Sequence, residues 1–562
     1  MKSETKNCQN CKKNFIIEPD DFSFYEKIKV PPPTFCPECR VKRRLMWRNE
    51  RNFYYRKCSL CQKNIVSSYN SGLKFPVYCQ KCWWGDKWDP YQYGQDFDFS
   101  RPFFEQFREL IDKVPMLGMQ NDDGIASLNC EYIQDFAFSK NCYLTAAGWY
   151  CDNVMYSYYT CYDTDVMDSY FINHSEKCYE CFESHRISAC KYCHLCFDSV
   201  DLMFCYDLRG CNNCFMCTGL RNKSYYIRNK LYSREDYLKE LKKENINSRK
   251  NIEKFKKEFI EIKLKIPHKF SPTLKSIKCT GHMIFESKMS KDCFWVNGLE
   301  NCRYLMNVDG AKDCYDVNNT GRPNLCYECV TPDNCYNCSF NIFCWKGNDV
   351  FYSYNCHSCN NCFGCIGLRH SEYSIFNKKY SKEEYFKIKN EIITHMKKTE
   401  EYGEFFPINK SIYSYNESFC VDYFPMSEEE AKKLNLAWRK EEKKNYQITI
   451  TSEKLPDEIK DVDDSILNEI IKCEHDSQCS HSCATAFKVV ERELMLYRKL
   501  NIPIPILCPN CRYFERVKQR NPLKLWHRKC MKKGCTNEFE TSYAPERSEI
   551  VYCERCYQNE MY

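Results

Sequence analysis

Two arrays of a twelve-residue repeat dominate the chain, one from Asn129 to Arg221 and one from Asn301 to Arg369. The first steps through Asn129-Cys130, Asn141-Cys142, Asn153-Val154, Asp165-Val166, Lys177-Cys178, Ala189-Cys190, Asp201-Leu202 and Asn213-Cys214. The second steps through Asn301-Cys302, Asp313-Cys314, Leu325-Cys326, Asn337-Cys338, Asp349-Val350 and Asn361-Cys362. A fixed short period means that units stack to share a core, because one unit buries too little by itself. Three positions later runs a second small column, Thr145, Ser157, Ser169, Cys181, Cys193, Cys205 and Cys217, then Cys329, Ser353 and Cys365, with Leu305, Val317 and Asn341 departing from it. Residues i and i+3 of a straight strand point to opposite faces, so both columns can face one interior only if the chain turns a corner between them. That path predicts a β-solenoid. Odd and even steps carry the same residue types, which favours twelve residues per coil over twenty-four. The interior is then narrow and admits Cys, Ser, Thr and Val, while Tyr143, Tyr158, Tyr170, Tyr179, Phe182, Tyr206 and Phe215 form a larger outer face.

The second constraint is the 44 cysteines in 562 residues. The first ninety residues pair Cys8/Cys11 with Cys36/Cys39, then Cys58/Cys61 with Cys79/Cys82, all as C-x2-C. A two-residue turn sets two sulfurs about 3.8 Å apart, as needed around one tetrahedral zinc ion. Closed four-thiolate sites fold small modules and leave no open position for catalysis.

The run Cys8-Gln-Asn-Cys11-Lys-Lys-Asn-Phe15, the acidic Glu18 to Asp21, Phe24-Tyr25, Pro31 to Pro33 and Cys36-Pro-Glu-Cys39-Arg40 resembles a treble-clef zinc-binding domain. The whole layout, zinc modules at both ends of Cys-rich repeats, is similar to a family of Cys-rich proteins from candidate-phyla bacteria. The resemblance implies treble-clef or zinc-ribbon modules and zinc, and it brings no activity.

The C-terminal segment repeats the N-terminal one: Cys508-Pro-Asn-Cys511-Arg512 matches Cys36-Pro-Glu-Cys39-Arg40, and Tyr552-Cys-Glu-Arg-Cys556 matches Tyr78-Cys-Gln-Lys-Cys82. Cys530 and Cys535 are separated by four residues, within the range of a zinc knuckle, and pair with Cys553 and Cys556. Alignment on Phe487 makes Cys483 a ligand with Cys508 and Cys511; Cys479 is its expected partner, with Cys473, His475 or His481 as substitutes. About four zinc ions are expected.

The fold expected is therefore mixed. Tandem zinc modules (1–90) lead through an aromatic cap (91–128), with a helix near 102–114, to the first array (129–232) and a charged helical arm (233–267). The second array (268–380), a helix (381–400), a mixed linker region (401–468) and tandem zinc modules (469–562) follow.

From Arg40 to Lys57 there are eight positive charges and one negative, interleaved with Trp47, Phe53, Tyr54 and Tyr55. Charge for phosphate and rings for bases is what single-stranded nucleic acid needs. Segments 40–57 and 512–529 are thus candidate RNA or DNA contacts through Arg40, Arg43, Arg44, Trp47, Arg48, Arg51, Arg512, Arg516, Arg520 and Trp526. The alternative is that these arginines balance the adjacent thiolates in a protein-protein scaffold. Overall charge decides nothing, because four tetrathiolate zinc sites at −2 each shift the formal +7 to about −1. A thiol-rich metal store or redox protein is a further reading: stacked array cysteines are close enough for disulfides or metal, although free buried Cys acting as a small hydrophobe is the default. The run Cys356, Cys359, Cys362, Cys365 superficially resembles a ferredoxin cluster, but its last spacing is one residue short and no Pro follows. His174, His185, His194, His357 and His370 fall at unrelated repeat positions, Gly is scarce at 17, and no catalytic constellation or small-molecule site is evident. Without a leader sequence or an apolar run of about eighteen residues, the expected setting is cytoplasmic and off the membrane.

Overall fold

Strands of the first array pair in parallel at a constant offset of twelve: Tyr158 faces Ala146, Tyr170 faces Tyr158, Val166 faces Val154 and Cys178 faces Val166. The period is therefore twelve residues, not twenty-four. The pairing runs from Tyr143–Trp149 through Tyr158–Cys161, Tyr170–Asn173, Phe182–Ser188, Glu176–Tyr179, Thr164–Met167 and Asp152–Met155, then returns to its first strand, closing a ring of 7 parallel strands. Strands Phe197–Met203, Asn212–Phe215 and Ser224–Ile227 continue it at the same offset. The computed structural model describes residues 2–121, 126–304, 306–309, 318–320, 327–330, 347–440, 445–479 and 482–561. In the second array, strands Gly281–Phe285, Cys293–Asn297 and Met306–Asp309, and separately Asn348–Phe351, Asn360–Phe363 and Glu372–Ile375, keep the offset. Its repeat positions Leu305, Asp313, Cys314, Val317, Leu325, Cys326, Asn337, Cys338 and Asn341 lie outside the described residues.

The corner inferred between the columns is a left-handed residue, and it recurs every three positions. From Asn129 to Asp207 each third residue has φ between 47° and 58°. For a non-glycine residue that conformation costs about 1–2 kcal/mol. The cost is offset because each corner amide pairs with the preceding turn, as Asn153 N does with Lys140 O (3.0 Å) and Tyr156 N with Tyr143 O (3.2 Å). The residue after each corner is buried in the interior, so each turn contributes four inner residues: Val154, Ser157, Thr160 and Asp163, then Val166, Ser169, Ile172 and Ser175. Gly148 belongs to this set because a Cβ there would meet the Phe136 ring at 2.3 Å and Thr160 O at 2.7 Å.

Serine and cysteine alternate inside for a shared reason. Ser157 Oγ accepts from Ser169 N (3.0 Å) and donates to Met155 O (2.9 Å); Ser169 Oγ does the same with Cys181 N (3.1 Å) and Met167 O (3.0 Å). The Cys217 thiol likewise donates to Phe215 O (3.2 Å), two residues back. Both side chains are small and return one hydrogen to the wall.

Asp163 breaks this rule, standing in the column of Ser139, Ser175 and Ser199. Its Oδ1 accepts from Ser175 N (2.7 Å), while Oδ2 is buried without a hydrogen-bond partner among the described residues. Burial pushes its carboxyl well above the usual range, outweighing the backbone amides of Ser175 and Cys161. The folded state therefore keeps a proton that the unfolded chain releases near pH 4. The favourable contribution is complete below that pH and fades as pH rises toward the folded value. Asp163→Ser keeps the acceptor and removes the acid, so it should stabilise the chain by about 1–3 kcal/mol at pH 7. The gain, read as a thermal midpoint shift, should shrink as pH falls to 4.

The tyrosine face is covered rather than free: Tyr158, Tyr170, Tyr179, Phe182, Tyr206 and Phe215 are all buried. What remains outside is a different stripe at the corners, where Phe138, Tyr150, Tyr162 and His174 stack ring on ring at 5.1, 4.9 and 4.8 Å.

Helix Arg249–Lys265 packs Phe255 and Phe259 on Phe204, and Phe255 on Phe215, so this arm lies along the array. Helix Arg234–Glu244 starts where Ser233 Oγ caps Asp236 N, and Lys382–Lys398 where Ser381 and Glu384 form a capping box. In the cap region, helix Phe103–Ile111 buries Phe103, Phe107, Leu110 and Ile111. Phe103 meets Tyr352 and Phe363, so this helix closes on the second array and not the first, as its place in the chain had suggested.

Candidate metal centres

Both ends of the chain build four-thiol clusters on one local plan. Cys8 N bonds Lys13 O (2.9 Å) and Lys12 N bonds Cys8 O (2.9 Å), with Lys12 left-handed at φ 61°. This turn closes the hairpin of strands Glu4–Asn7 and Asn14–Ile17 and presents Cys8 and Cys11. Helix Pro37–Met46 has Cys36 as its N-cap and Cys39 in its first turn. Cys58 and Cys61 repeat the turn with Gln62 at φ 61°, opposite Cys79 at the N-cap of helix Gln80–Trp84. At the other end, Cys508 caps helix Pro509–Val517, and Cys553 immediately precedes helix Glu554–Met561.

The sulfurs converge. Cys8, Cys11, Cys36 and Cys39 form one set within 4.8 Å of one another, as do Cys58, Cys61, Cys79 and Cys82; Cys473, Cys483, Cys508 and Cys511; and Cys530, Cys535, Cys553 and Cys556. Contacts of 3.7 Å (Cys11–Cys36), 3.9 Å (Cys61–Cys79), 3.8 Å (Cys473–Cys511) and 3.9 Å (Cys535–Cys553) match the edge of a tetrahedron of thiolates about 2.3 Å from one ion. Amide donors stabilise the sulfurs as anions: Cys36 N to Cys8 Sγ (3.2 Å), Cys79 N to Cys58 Sγ (3.3 Å), Cys508 N to Cys473 Sγ (3.2 Å) and Cys553 N to Cys530 Sγ (3.3 Å). At Cys58 burial raises the thiol pKa, but the amides of Cys61, Cys79 and Leu60 outweigh it and bring it to about 7. Asn537 has the same effect on Cys553, lowering it to about 7 against burial. These four sets could each hold a metal ion.

The third set takes Cys473 where the spacing pointed to Cys479. Cys479 instead lies 3.7 Å from Cys511 and groups with His475. His481 lies outside the described residues.

Most arginines of the basic segments face inward, while Lys57, Lys518, Lys524 and Lys529 are exposed. Arg40, Arg43, Arg44, Trp47 and Arg48 are buried, as are Arg512, Arg516 and Arg520. Arg43 reaches Glu328 (2.6 Å) and Glu404 (2.7 Å), and Arg44 reaches Glu328 (3.8 Å). Arg48 pairs with Glu50 and with Asp135 (3.1 Å), and Arg51 with Asp422 (2.9 Å). Arg40 donates to Phe35 O (2.8 Å), and the Trp47 ring packs on Phe406. At the other end Arg512 and Arg516 converge on Asp168 (2.9 and 2.8 Å), and Arg520 donates to Tyr170 Oη (2.6 Å) over the Tyr423 ring. Trp526 is half-buried in strand Trp526–Lys529 beneath Lys524. Arg43, Arg44, Arg48, Arg51, Arg512 and Arg516 thus meet carboxylates of the chain itself, while Arg40 and Arg520 meet carbonyl and hydroxyl oxygens; this placement does not show contact with nucleic acid. Asp168 and Glu328 precede equivalent small-column residues, Ser169 and Cys329, so the two arrays receive the two helices at matching places.

Most of the array cysteines in the described residues are buried. Burial raises Cys151 to about 12, as it does Cys420. A buried polar cluster went unseen in the sequence: Glu183 accepts from Trp295 Nε1 (2.7 Å) and contacts His194 and His282 (both 3.1 Å). His194 is buried there, and burial together with Lys263 lowers its pKa to about 4. Its partners come from both arrays, and no single repeat position signals it. No helix among the described residues is long and apolar enough to cross a membrane.

No protein-family model, curated protein or solved structure matches the chain.

Proposed function

We propose that the chain is a non-enzymatic, protein-binding scaffold in which the zinc of the four closed sites is structural. All-thiol tetrahedral sets suit zinc, and sets closed by four protein ligands leave no position for a substrate. The arrays are read as two short β-solenoids, and the end modules as the treble-clef type. The observation that carries the reading is the direction of the arginines: the first module of each terminal pair projects a basic helix into an array carboxylate, which makes these modules clamps. The exposed ladder of Phe138, Tyr150, Tyr162 and His174 is then the surface left for a protein partner.

The test is Arg48→Ala, assayed by thermal midpoint and by fluorescence anisotropy with single-stranded RNA and DNA over a salt series. A clamp predicts a loss of about 3 kcal/mol or more, since Asp135 and Glu50 stay buried without their cation, and no change in nucleic-acid binding. A variant of unchanged midpoint that loses salt-dependent binding would overturn the scaffold reading in favour of a nucleic-acid surface.

A further inference from the structure

Three of the four sites have four donors, and the third has six. Between Cys8 and Cys11, and between Cys58 and Cys61, the chain spends two residues; between Cys473 and Cys483 it spends nine. That longer loop carries His475 and Cys479, and it folds back on the site. Glu474 N bonds Ile506 O (3.1 Å), Asp476 N bonds Cys473 O (3.0 Å) and Gln478 N bonds His475 O (2.7 Å). Asp476 and Ser477 are both left-handed, at φ 44° and 61°, which reverses the chain so that Cys479 returns to the cluster.

Cys511 is the shared corner. Its sulfur lies 3.8 Å from Cys473 within the four-thiol set and 3.7 Å from Cys479 outside it. The donor atoms of His475, Cys479 and Cys511 lie within 4.8 Å of one another, as do those of the four thiols. A thiolate has lone pairs for two metal ions, so one sulfur can belong to both sets.

We infer that the third module holds a second metal ion, bound by His475, Cys479 and the bridging sulfur of Cys511. Two thiolates and an imidazole suit a divalent ion of the zinc and cadmium class. Three protein donors leave the fourth tetrahedral position open, the arrangement of exchangeable rather than purely structural sites. That position has room: Cys479 and Cys483 line a cavity of about 1030 Å³ shared with Ser477, Asn510, Phe514 and Lys518. The fifth ion is thus the labile one, taking water or an external thiolate as its last ligand.

The inference rests on the four-site scaffold reading, and counting ions separates the two. Native mass spectrometry of the full chain, loaded with zinc and desalted, should give five ions per chain. Cys479→Ser and His475→Ala should each give four, with the thermal midpoint within about 1 °C of wild type because the four-thiol set is intact. A chromogenic zinc chelator in stopped flow should remove one equivalent at least tenfold faster than the rest, and that fast phase should vanish in both variants. Four ions in the wild type would overturn this inference alone and leave the closed sites standing. Fewer than four in the wild type would overturn the scaffold reading itself.

Discussion

Asp168→Ala should cost about 3–5 kcal/mol, although the residue touches neither a metal site nor the surface. Its carboxylate is buried and receives Arg512 Nε at 2.9 Å and Arg516 at 2.8 Å. Removing it strands two guanidinium groups, because water cannot enter to replace the anion and neither side chain can give up its proton. Arg512 keeps Glu493 only at 3.7 Å and the Tyr156 ring at 4.8 Å, and Arg516 keeps Tyr156 O at 3.3 Å. Arg186→Ala provides the control. Its partner Asp198 is as exposed as Arg186 itself, at 54% each, so that loss should stay within about 1 kcal/mol. Urea titration followed by hydrogen exchange in residues 509–517 and 164–173 reads both. A second variant, Asp168→Leu with Arg516→Met, removes one cation along with the anion and should recover part of the loss. If Asp168→Ala and Arg186→Ala cost the same, the clamp is not buried and the assembly is looser than the structure shows.

How much of this was legible in the sequence depends on how local each feature is. The two-residue turn between Cys8 and Cys11 is set by neighbouring residues, and its spacing was enough to assemble three of the four thiol sets. The twelve-residue step was legible because the Cys and Val column repeats it without error. Only two of the four inner columns were visible, since the others mix Phe136, Gly148, Thr160 and Ile172, or Ser139, Cys151, Asp163 and Ser175, and keep no single residue type or size. The three-residue rhythm of corners was hidden for a similar reason: the left-handed position accepts Asn153, Tyr156, Tyr159 and Tyr162 in one turn. The inward pairing of the arginines was not legible because the carboxylates that answer them are remote, Glu328 lying 285 positions from Arg43 and Asp168 lying 348 from Arg516. Cys473 was displaced by Cys479 in the reading because nothing in spacing alone says that a nine-residue loop returns to its own start.

Stripping the metal from the N-terminal modules should have the largest effect of all, and it should spread in a defined order. Helix Pro37–Met46 is 10 residues long, too short to persist alone in water. Its start is held by Cys36 and Cys39 and its end by Arg43, Arg44 and Arg48, so the thiolate cluster and the clamp support each other. Structural zinc in small modules contributes about 10–16 kcal/mol at neutral pH, more than a small module can lose and stay folded. Cys36→Ser should therefore leave residues 4–51 open to proteolysis and fast amide exchange. Glu328 and Glu404 would then stand buried without Arg43, so protection should next fall around residues 327–330 and 401–406. The first array should hold longest, because its wall is closed by its own backbone pairs and, although it loses the Arg48–Asp135 pair, it keeps the pairs of Asp168 with Arg512 and Arg516 of the C-terminal module. Exchange that accelerates everywhere at once would show one cooperative unit instead of a chain of clamps. Unchanged protection of residues 36–51 in the metal-free protein would show that the helix is held by the arginine pairs alone.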